Sequence, residues 1–265
     1  MSIDDLTRAN DSSPRATRIR SMEKLILVNG SVSIADLAQT FNVSVMTVHR
    51  DLEMLERSGT VRRVRGAATA LSSNLLESHI RYRQSANLPI KRRLAAAAVA
   101  MVEPGHAVML DDSTTAAMMF DDLSKVKPLT VISNSVTCMI NFAPMAEIRF
   151  IVLGGEYNAR YAATVGLTTE RNIHSLHPNF VFMSASAARG NGIYHPDESI
   201  VQVKQAMIQA ANKAVLLIDS TKFHNDSLYR VCDLTDFHRV IVDSEIHPDL
   251  VKELRADGVQ LQIVT

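Results

Sequence analysis

The sequence has little of what secreted, membrane-spanning or cysteine-dependent proteins require. It has two cysteines, Cys138 and Cys232, in 265 residues, which excludes a disulfide framework and a cysteine-rich zinc site. Its longest uncharged apolar run, residues 94–102, is too short to cross a bilayer. The first 14 residues are polar and have no apolar stretch, so they are predicted to be a disordered extension and not a signal peptide. We therefore expect a cytoplasmic protein.

The chain also lacks an excess of charge of either sign, with 28 Lys and Arg residues against 28 Asp and Glu residues. A zero sum argues against a protein held on nucleic acid by its overall charge, but the sum hides an uneven distribution. Residues 1–93 contain 15 basic and 9 acidic residues, a net charge of +6. Residues 94–265 contain 13 basic and 19 acidic residues, a net charge of −6. A polyanion is therefore expected to bind the N-terminal part.

Three short helices are predicted in the N-terminal part. Apolar residues at helical spacing indicate a first helix over residues 16–28, ended by Gly30. Ser33 and Asp36 have the spacing of a capping box at the start of a second helix. Ser44 can cap a third helix, which Gly59 ends. Two short helices joined by a tight turn form a helix-turn-helix motif.

The third helix and the segment after it carry the candidate DNA contacts. Residues 60–66 alternate and lie between glycines, which predicts a small β-wing, and residues 57–66 contain four arginines and no acid. Side chains near the start of such a helix meet base edges in the major groove, and wing arginines suit phosphates. A solvated basic hairpin on a three-helix bundle is the alternative; turn, cap, wing and charge together favour DNA binding. The predicted DNA contacts are Ser44, Met46, Thr47, His49, Arg50, Arg62, Arg63 and Arg65.

Seven short apolar runs mark the C-terminal part. Their apolar residues are continuous and do not alternate, which is typical of strands buried on both faces of a mostly parallel α/β sheet. Pro89 is expected to begin a helix whose residues 91–93 form a solvated turn. The predicted domains are residues 15–70, which bind DNA, residues 71–93, a linker and connecting helix, and residues 94–265, which bind a ligand. The runs are residues 107–110, 129–132, 148–153, 180–183, 214–218, 239–242 and 259–264.

Small polar or charged residues follow five of these runs. Ligands of open α/β sheets bind beyond the carboxyl ends of the strands, and hydroxyl groups at a helix start can hold an anion. Helix capping alone explains any one of these loops, but all five together favour a pocket for a phosphorylated sugar or polyol. Lys222 adds a charge for the phosphate, and Asp111 and Asn134 suit sugar hydroxyls. The candidate ligand-binding residues are Asp111, Ser113, Thr114, Thr115, Ser133, Asn134, Ser184, Ser186 and Lys222.

Two further features are weaker candidates for a site. His174 and His177 have the spacing of two metal ligands on one helical turn, but Pro178 follows and no third ligand is evident, so a surface turn is favoured. Asp197 is expected to cap a helix, while a role for Glu198 at the ligand is left open. The sequence has neither a phosphate-binding Walker loop nor a dinucleotide fingerprint, so no metal and no cofactor are predicted.

Two groups of residues resemble the DeoR family of bacterial transcription regulators. The resemblance covers nearly everything from about residue 17. It departs at three places: His49, where the family tends to have arginine; residues 65–68, where it tends to have His-Gly-Gly-Ala; and residues 184–187, where it tends to have glycines. In the N-terminal part the matching residues are 31–38, 41–44, 47–52, Leu55 and Gly59. In the C-terminal part they are 111–115, 133–134, 154–155, Gly166, 192–193, Lys204 and 219–223.

The resemblance implies a winged helix-turn-helix domain followed by a larger sensor domain with a fold related to ribose-5-phosphate isomerase. It further implies a sugar phosphate as inducer, repression as the usual output and Lys204 as one of the effector-binding residues. The first hypothesis is therefore a ligand-responsive repressor that forms a homo-oligomer, a dimer or a tetramer, on double-stranded operator DNA. The second hypothesis is a sugar-phosphate isomerase fused to a helix-turn-helix, which Asp111, Glu198 and Lys222 allow. A third is an activator in place of a repressor, because the sequence does not discriminate between the two.

Overall fold

The computed structural model describes residues 14–29, 31–57, 61–70, 83–84 and 86–265 of the chain. Contacts divide the chain into two units, Met1–Tyr82 and Arg83–Thr265. Three predictions fall wholly or mostly outside the described residues: the extension before Pro14, the helix ends at Gly30 and Gly59, and the linker up to residue 82. Within the described residues, no helix is long and apolar enough to cross a membrane.

The N-terminal unit contains the three predicted helices and the wing. The hydroxyl of Ser33 accepts a hydrogen bond from the backbone N–H of Asp36 at 3.0 Å, and the hydroxyl of Ser44 accepts one from the N–H of Thr47 at 3.2 Å. Both predicted caps are therefore confirmed. The helices are α1 Pro14–Asn29, α2 Ile34–Thr40 and α3 Val45–Arg57. The strands are β1 Ser31–Ser33, β2 Val61–Val64 and β3 Ala67–Ala70, in the antiparallel order β1-β3-β2.

A small apolar core and one buried carboxylate hold this unit together. Met22 of α1, Leu37 of α2 and Leu52 of α3 are fully buried in one cluster. The carboxylate of Asp51 in α3 is also buried, and it accepts hydrogen bonds from Nε of Arg18 at 2.8 Å and Nε of Arg15 at 3.2 Å. Because both arginines lie in α1, this ion pair fixes α1 against the helix that carries the candidate DNA contacts.

All seven apolar runs form strands of one seven-stranded sheet, which confirms the predicted α/β class. Every pair of neighbouring strands is parallel, and the order is β15-β14-β12-β9-β4-β5-β6. Two buried apolar clusters lie on it. The strands are β4 Ala107–Leu110, β5 Leu129–Ser133, β6 Ile148–Val152, β9 Phe180–Met183, β12 Lys213–Ile218, β14 Arg239–Asp243 and β15 Leu261–Val264.

Eleven further α-helices and β-strands are described in this unit, six helices and five strands. The five strands, which the sequence did not predict, form a hairpin and a three-stranded antiparallel sheet. These strands have only three to five residues and lack a continuous apolar run. The helices are α4 Leu88–Val99, α5 Phe120–Leu123, α6 Val136–Phe142, α7 Leu167–His174, α8 Glu198–Ala210 and α9 Pro248–Ala256. The short strands are β7 Glu156–Asn158, β8 Ala163–Val165, β10 Ala187–Arg189, β11 Gly192–His195 and β13 Tyr229–Asp233.

The strand order reverses direction between β4 and β9. Along the chain, successive strands of the large sheet move outward from β4 to β6 and then start again from β9 on the other side of β4. In parallel α/β sheets the loops on the two sides of such a point diverge and leave a crevice for a ligand. The loops that begin at Asp111 and Ser184 flank this point, so the fold brings two of the candidate loops together.

The charge contrast between the two units is smaller than the division at residue 93 indicated. The unit Met1–Tyr82 contains 11 basic and 9 acidic residues, a net charge of +2, because Arg83, Lys91, Arg92 and Arg93 belong to the second unit. The second unit accordingly has 17 basic and 19 acidic residues, a net charge of −2. An excess of basic residues that can serve DNA binding is therefore local to the wing, where residues 61–70 contain three arginines and no acidic residue, and it is not a property of the whole unit.

Candidate functional site

The candidate base contacts lie at the start of α3. Met46 is 66% exposed, and Ser44 and Arg50 are also exposed. Thr47 and His49 are half-buried, and the hydroxyl groups of Ser44 and Thr47 lie 2.9 Å apart, within hydrogen-bonding distance. The apolar side of α3 faces the core, so this polar side is the face that α3 presents outward.

The wing carries three exposed arginines, Arg62, Arg63 and Arg65. Arg63 is also tied to α3, because its Nε donates to Oε2 of Glu56 at 2.7 Å and its backbone N–H donates to Oε1 at 3.0 Å. These hydrogen bonds, the backbone one first, lower the pKa of Glu56. Gly66, at φ 78°, makes the turn between β2 and β3. The wing is thus held against α3 through Arg63.

At the carboxyl end of β4, Asp111 connects the loops on both sides of the switch point. Its Oδ1 accepts the backbone N–H of Ser113 at 2.9 Å, and its Oδ2 accepts the backbone N–H of Ser184 at 3.0 Å. Lys204 of α8 forms an ion pair with the same carboxylate, and its Nζ also donates to the carbonyl of Ser184 at 3.0 Å. The Nζ of Lys204 is 3.8 Å from Oδ1 of Asp112. The ammonium group of Lys204 is thus surrounded by three residues, Asp111, Asp112 and Ser184.

Lys91 is buried, so the prediction that it belongs to a solvated turn is wrong. It is 4% exposed, and its Nζ donates to Oγ1 of Thr114 at 3.0 Å and to the backbone carbonyl of Arg83. Oγ1 of Thr114 donates to the same carbonyl at 3.2 Å. Lys91 lies on the face of α4 that also buries Leu94 and Ala98, which is why the helix carries it inward. The beginning of the second unit is therefore attached to the candidate loop after β4.

Arg83, which is half-buried, brings a second cation into this region, and the sequence did not indicate it. Its Nε and Nη2 are buried and have no hydrogen-bond partner among the described residues. Its guanidinium carbon lies 5.4 Å from the ring centre of Tyr161, and that ring lies 5.1 Å from the ring of His195. Burial first, and then the charges of Lys204 and Arg83, lower the pKa of His195 to about 3. His195 is therefore neutral at pH 7.

Several candidate hydroxyl groups have structural hydrogen bonds, so the capping alternative holds for them. The hydroxyl of Ser113 accepts from the N–H of Ala116 at 3.0 Å. The hydroxyl of Ser133 donates to the carbonyl of Leu110 at 2.8 Å and accepts from the N–H of Ser135 at 3.0 Å. These two serines shape the loops and leave little hydrogen-bonding capacity for a ligand.

Asn134 has a side-chain hydrogen-bond acceptor that the described residues do not use. Its Nδ2 donates to the carbonyl of Thr164 at 2.9 Å, whereas its buried Oδ1 has no partner among the described residues. Thr115, another candidate residue, is buried in the loop that begins at Asp111. Asn134 therefore keeps an acceptor for the hydroxyl group of a ligand.

The loop after β12 borders the candidate ligand-binding site. Asn87, just before α4, donates from Nδ2 to Oδ1 of Asp219 at 3.3 Å, and Asp219 is buried. Lys222 is half-buried in the 3₁₀ turn that follows Asp219. The carbonyl of Ser186 accepts from Nδ2 of Asn225, at the end of the same turn, at 3.4 Å. The loops after β9 and β12 are therefore adjacent.

The weaker candidates have structural partners. Nδ1 of His177 lies 2.9 Å from the carbonyl of Ala210, and the described residues contain no group of three potential metal ligands. Asp197 caps α8 by accepting from the N–H of Ser199 at 3.0 Å, which confirms the expected cap. Cys138 is buried, which raises the pKa of its thiol to about 11, so it is unreactive at neutral pH.

Comparisons with known proteins match both units. A family model for the DeoR-like helix-turn-helix domain matches residues 18–74, and one for the DeoR C terminal sensor domain matches residues 86–244. An L-fucose operon activator from Haemophilus influenzae is 33% identical over 224 residues, 84% of this chain and 90% of the relative. A putative aga operon transcriptional repressor from Escherichia coli O157:H7 is 27% identical over 240 residues, 89% of this chain and 88% of the relative. A ribose 5-phosphate isomerase from Methanocaldococcus jannaschii has a TM-score of 0.38 at 18% identity, over 52% of this chain and 55% of the isomerase.

Proposed function

The chain belongs to the DeoR family of transcription regulators, and we propose that it represses a carbohydrate operon until a phosphorylated sugar or polyol binds to it. As a member of this family it is a DNA-binding regulator of carbohydrate genes and not an enzyme. The two relatives differ in their effect on transcription, since one is named an activator and the other a repressor. Repression is proposed because it is the usual output of the family that the motifs resemble.

We propose that residues 15–70 bind operator DNA. The cap of α3 supplies Ser44, and the side of α3 away from the core supplies Met46, Thr47, His49 and Arg50, for base edges and nearby phosphates. The wing supplies Arg62, Arg63 and Arg65 for the backbone beside the groove. A unit with a net charge of only +2 gains little from non-specific attraction, so two units on paired half-sites are needed for useful affinity. We therefore propose a homo-oligomer, acting in the cytoplasm where its operator lies.

We propose that the crevice at the switch point binds the effector. The observation that carries this proposal is that Nε and Nη2 of the half-buried Arg83 are themselves buried and have no hydrogen-bond partner among the described residues. Buried donors without partners are costly, and a phosphate group satisfies two such donors at once. Asn134 keeps an unused acceptor for a sugar hydroxyl, and Lys222 adds a cation at the neighbouring loop.

Lys204 and Asp111 fix the two sides of this crevice relative to each other. The remaining residues of the proposed site complete its walls. They are Ser113, Thr114, Thr115, Ser133, Ser184 and Ser186.

Isothermal titration of the full chain tests this proposal. The probes are D-fructose 6-phosphate, D-ribose 5-phosphate, glycerol 3-phosphate and their unphosphorylated forms. At least one phosphorylated probe should bind with an affinity at least tenfold above that of its unphosphorylated form. Arg83→Met should weaken that binding by about 10- to 100-fold, which corresponds to about 1.4–2.8 kcal/mol. Arg189→Met, at an exposed arginine, is the matched control and should bind as the wild type does. Equal binding of phosphorylated and unphosphorylated probes contradicts the proposal.

A further inference from the structure

Tyr161 lies in the proposed effector site, although nothing in its local sequence indicated a role there. The residue is fully buried, and its hydroxyl group has no hydrogen-bond partner among the described residues. Buried hydroxyl groups in folded proteins nearly always have a partner, so an unpaired one needs an explanation. A core position alone does not supply it, because a phenylalanine fills the same space without that cost.

The surroundings of Tyr161 are those of the proposed site. Arg83 and Arg160 each lie within 6 Å of its ring centre, at 5.4 and 5.7 Å, and His195 lies beside the ring. The negative charge of Asp112 also acts on the phenol. The ring that carries the unpaired hydroxyl of Tyr161 therefore lies next to the guanidinium of Arg83.

The chain also holds this tyrosine in a special backbone setting. The next residue, Ala162, has φ 52°, a left-handed conformation that alanine rarely adopts. The carbonyl of Ala162 accepts from the N–H of Val136 at 2.9 Å, and Thr164 is hydrogen-bonded to Asn134. These bonds join the segment that carries Tyr161 to the loop that carries the unpaired Oδ1 of Asn134. Strained backbone that its surroundings enforce in this way is common at ligand sites.

We propose that the hydroxyl of Tyr161 forms a hydrogen bond with a hydroxyl group of the bound sugar or polyol, and that this contact helps to select which phosphorylated sugar acts as effector. This inference rests on the proposed function, since it assigns a contact within the same crevice. Burial raises the pKa of Tyr161 to about 12, so the phenol is neutral at pH 7 and can donate as well as accept. Arg83 then holds the phosphate, and Tyr161 and Asn134 hold the polyol part.

The test compares the full-length wild type with Tyr161→Phe, which removes only the oxygen atom. The ligand is whichever of the three phosphorylated probes binds the wild type most tightly. We expect Tyr161→Phe to raise the Kd at least tenfold and to leave the melting temperature without ligand unchanged or higher, because it removes an unpaired buried group. Tyr157→Phe is the matched control, since Tyr157 is 57% exposed in the same hairpin, and it should change neither quantity.

Deoxy analogues of the same probe identify the contacted hydroxyl group. For one analogue, the wild type and Tyr161→Phe should bind equally well, because the partner of the phenol is missing. An unchanged Kd for Tyr161→Phe with the intact probe overturns the inference and leaves the proposed function standing. A melting temperature lowered by several degrees without ligand also overturns it, because the hydroxyl then has a structural partner. Failure of every phosphorylated probe to bind the wild type overturns the effector assignment itself, and this inference with it.

Discussion

The ammonium group of Lys204 forms a buried ion pair with the carboxylate of Asp111, and the two side chains are 3% and 1% exposed. The two residues are 93 positions apart in the chain. The pair joins α8 to the carboxyl end of β4, where the strand order reverses. Any ligand in the crevice therefore meets a wall whose position depends on this contact.

Lys204→Met should lower the free energy of unfolding by about 3 kcal/mol, because it leaves a buried carboxylate without its cation. Urea denaturation of the full chain, followed by circular dichroism, measures the change. Lys252→Met is the control, since the ion pair of Lys252 with Asp249 is exposed, and the stability should hardly change. Equal stability of the two variants would mean that Asp111 does not need Lys204 as a counter-ion.

His195 should make the stability of the second unit sensitive to acid. Its pKa in the folded chain is about 3 because of burial, against 6.5 in the unfolded chain. Between these values the unfolded chain binds the proton and the folded chain does not, so stability is complete above pH 6.5 and falls as the pH drops. The loss is about 1.4 kcal/mol per pH unit.

The variant His195→Asn isolates this contribution. Asparagine can keep the hydrogen bond that Nδ1 accepts from the N–H of Asp197, at 3.2 Å, but does not titrate. The curve of unfolding free energy against pH should therefore be less steep for the variant between pH 6.5 and 4. Parallel curves would show that His195 titrates normally.

Substitution of Gly155 should destabilise the fold because the space around this residue is filled. A methyl group at this position lies 2.7 Å from the carbonyl oxygen of Val165 and closer still to the hydroxyl of Thr169. Gly155→Ala should therefore cost about 1–3 kcal/mol of stability. Gly154→Ala is the matched control, because the nearest atom to its methyl group, Nδ2 of Asn172, is 3.9 Å away. Thermal unfolding of both variants checks this, and equal melting temperatures would contradict it.

The two kinds of predicted DNA contact should respond differently to substitution. Arg50→Ala, on α3, should reduce operator affinity by at least tenfold and reduce discrimination between operator and unrelated DNA. Arg65→Gln, on the wing, should weaken binding to both DNAs and lower the slope of log K against log salt by about one. Fluorescence anisotropy over a range of salt concentrations measures both effects. If Arg65→Gln instead reduced discrimination and Arg50→Ala weakened binding to both DNAs, the base contacts would lie on the wing.

The seven strands were predictable because each is a short apolar run. Five of them are buried on both faces as expected, whereas the edge strands β6 and β15 are partly exposed. The polar residues after them were predictable too, since parallel strands place their carboxyl ends at one edge. Lys91 was predicted wrongly, although a signal was present: at helical spacing it shares a face with Leu94, Ala95 and Ala98. A charged residue on an apolar stripe indicates a buried partner.

Other parts of the site had no local signal. Arg83 follows a segment without clear periodicity, and its position beside Tyr161, with Nε and Nη2 lacking a partner among the described residues, depends on the tertiary fold. Tyr161 itself looks like an ordinary core residue in sequence. The strand order, which makes the loops of Asp111 and Ser184 neighbours, depends on contacts between distant segments and cannot be obtained from periodicity.

The most direct test of the central claim is release of DNA by a sugar phosphate. Fluorescence anisotropy follows the full chain on labelled DNA from the promoter regions that flank its gene, while the tightest-binding phosphorylated probe is titrated. The account predicts that this probe releases the DNA, that its unphosphorylated form does not, and that Arg83→Met needs at least tenfold more probe. Binding of the probe to the chain with no change in DNA affinity would contradict the claim that this crevice controls the regulator.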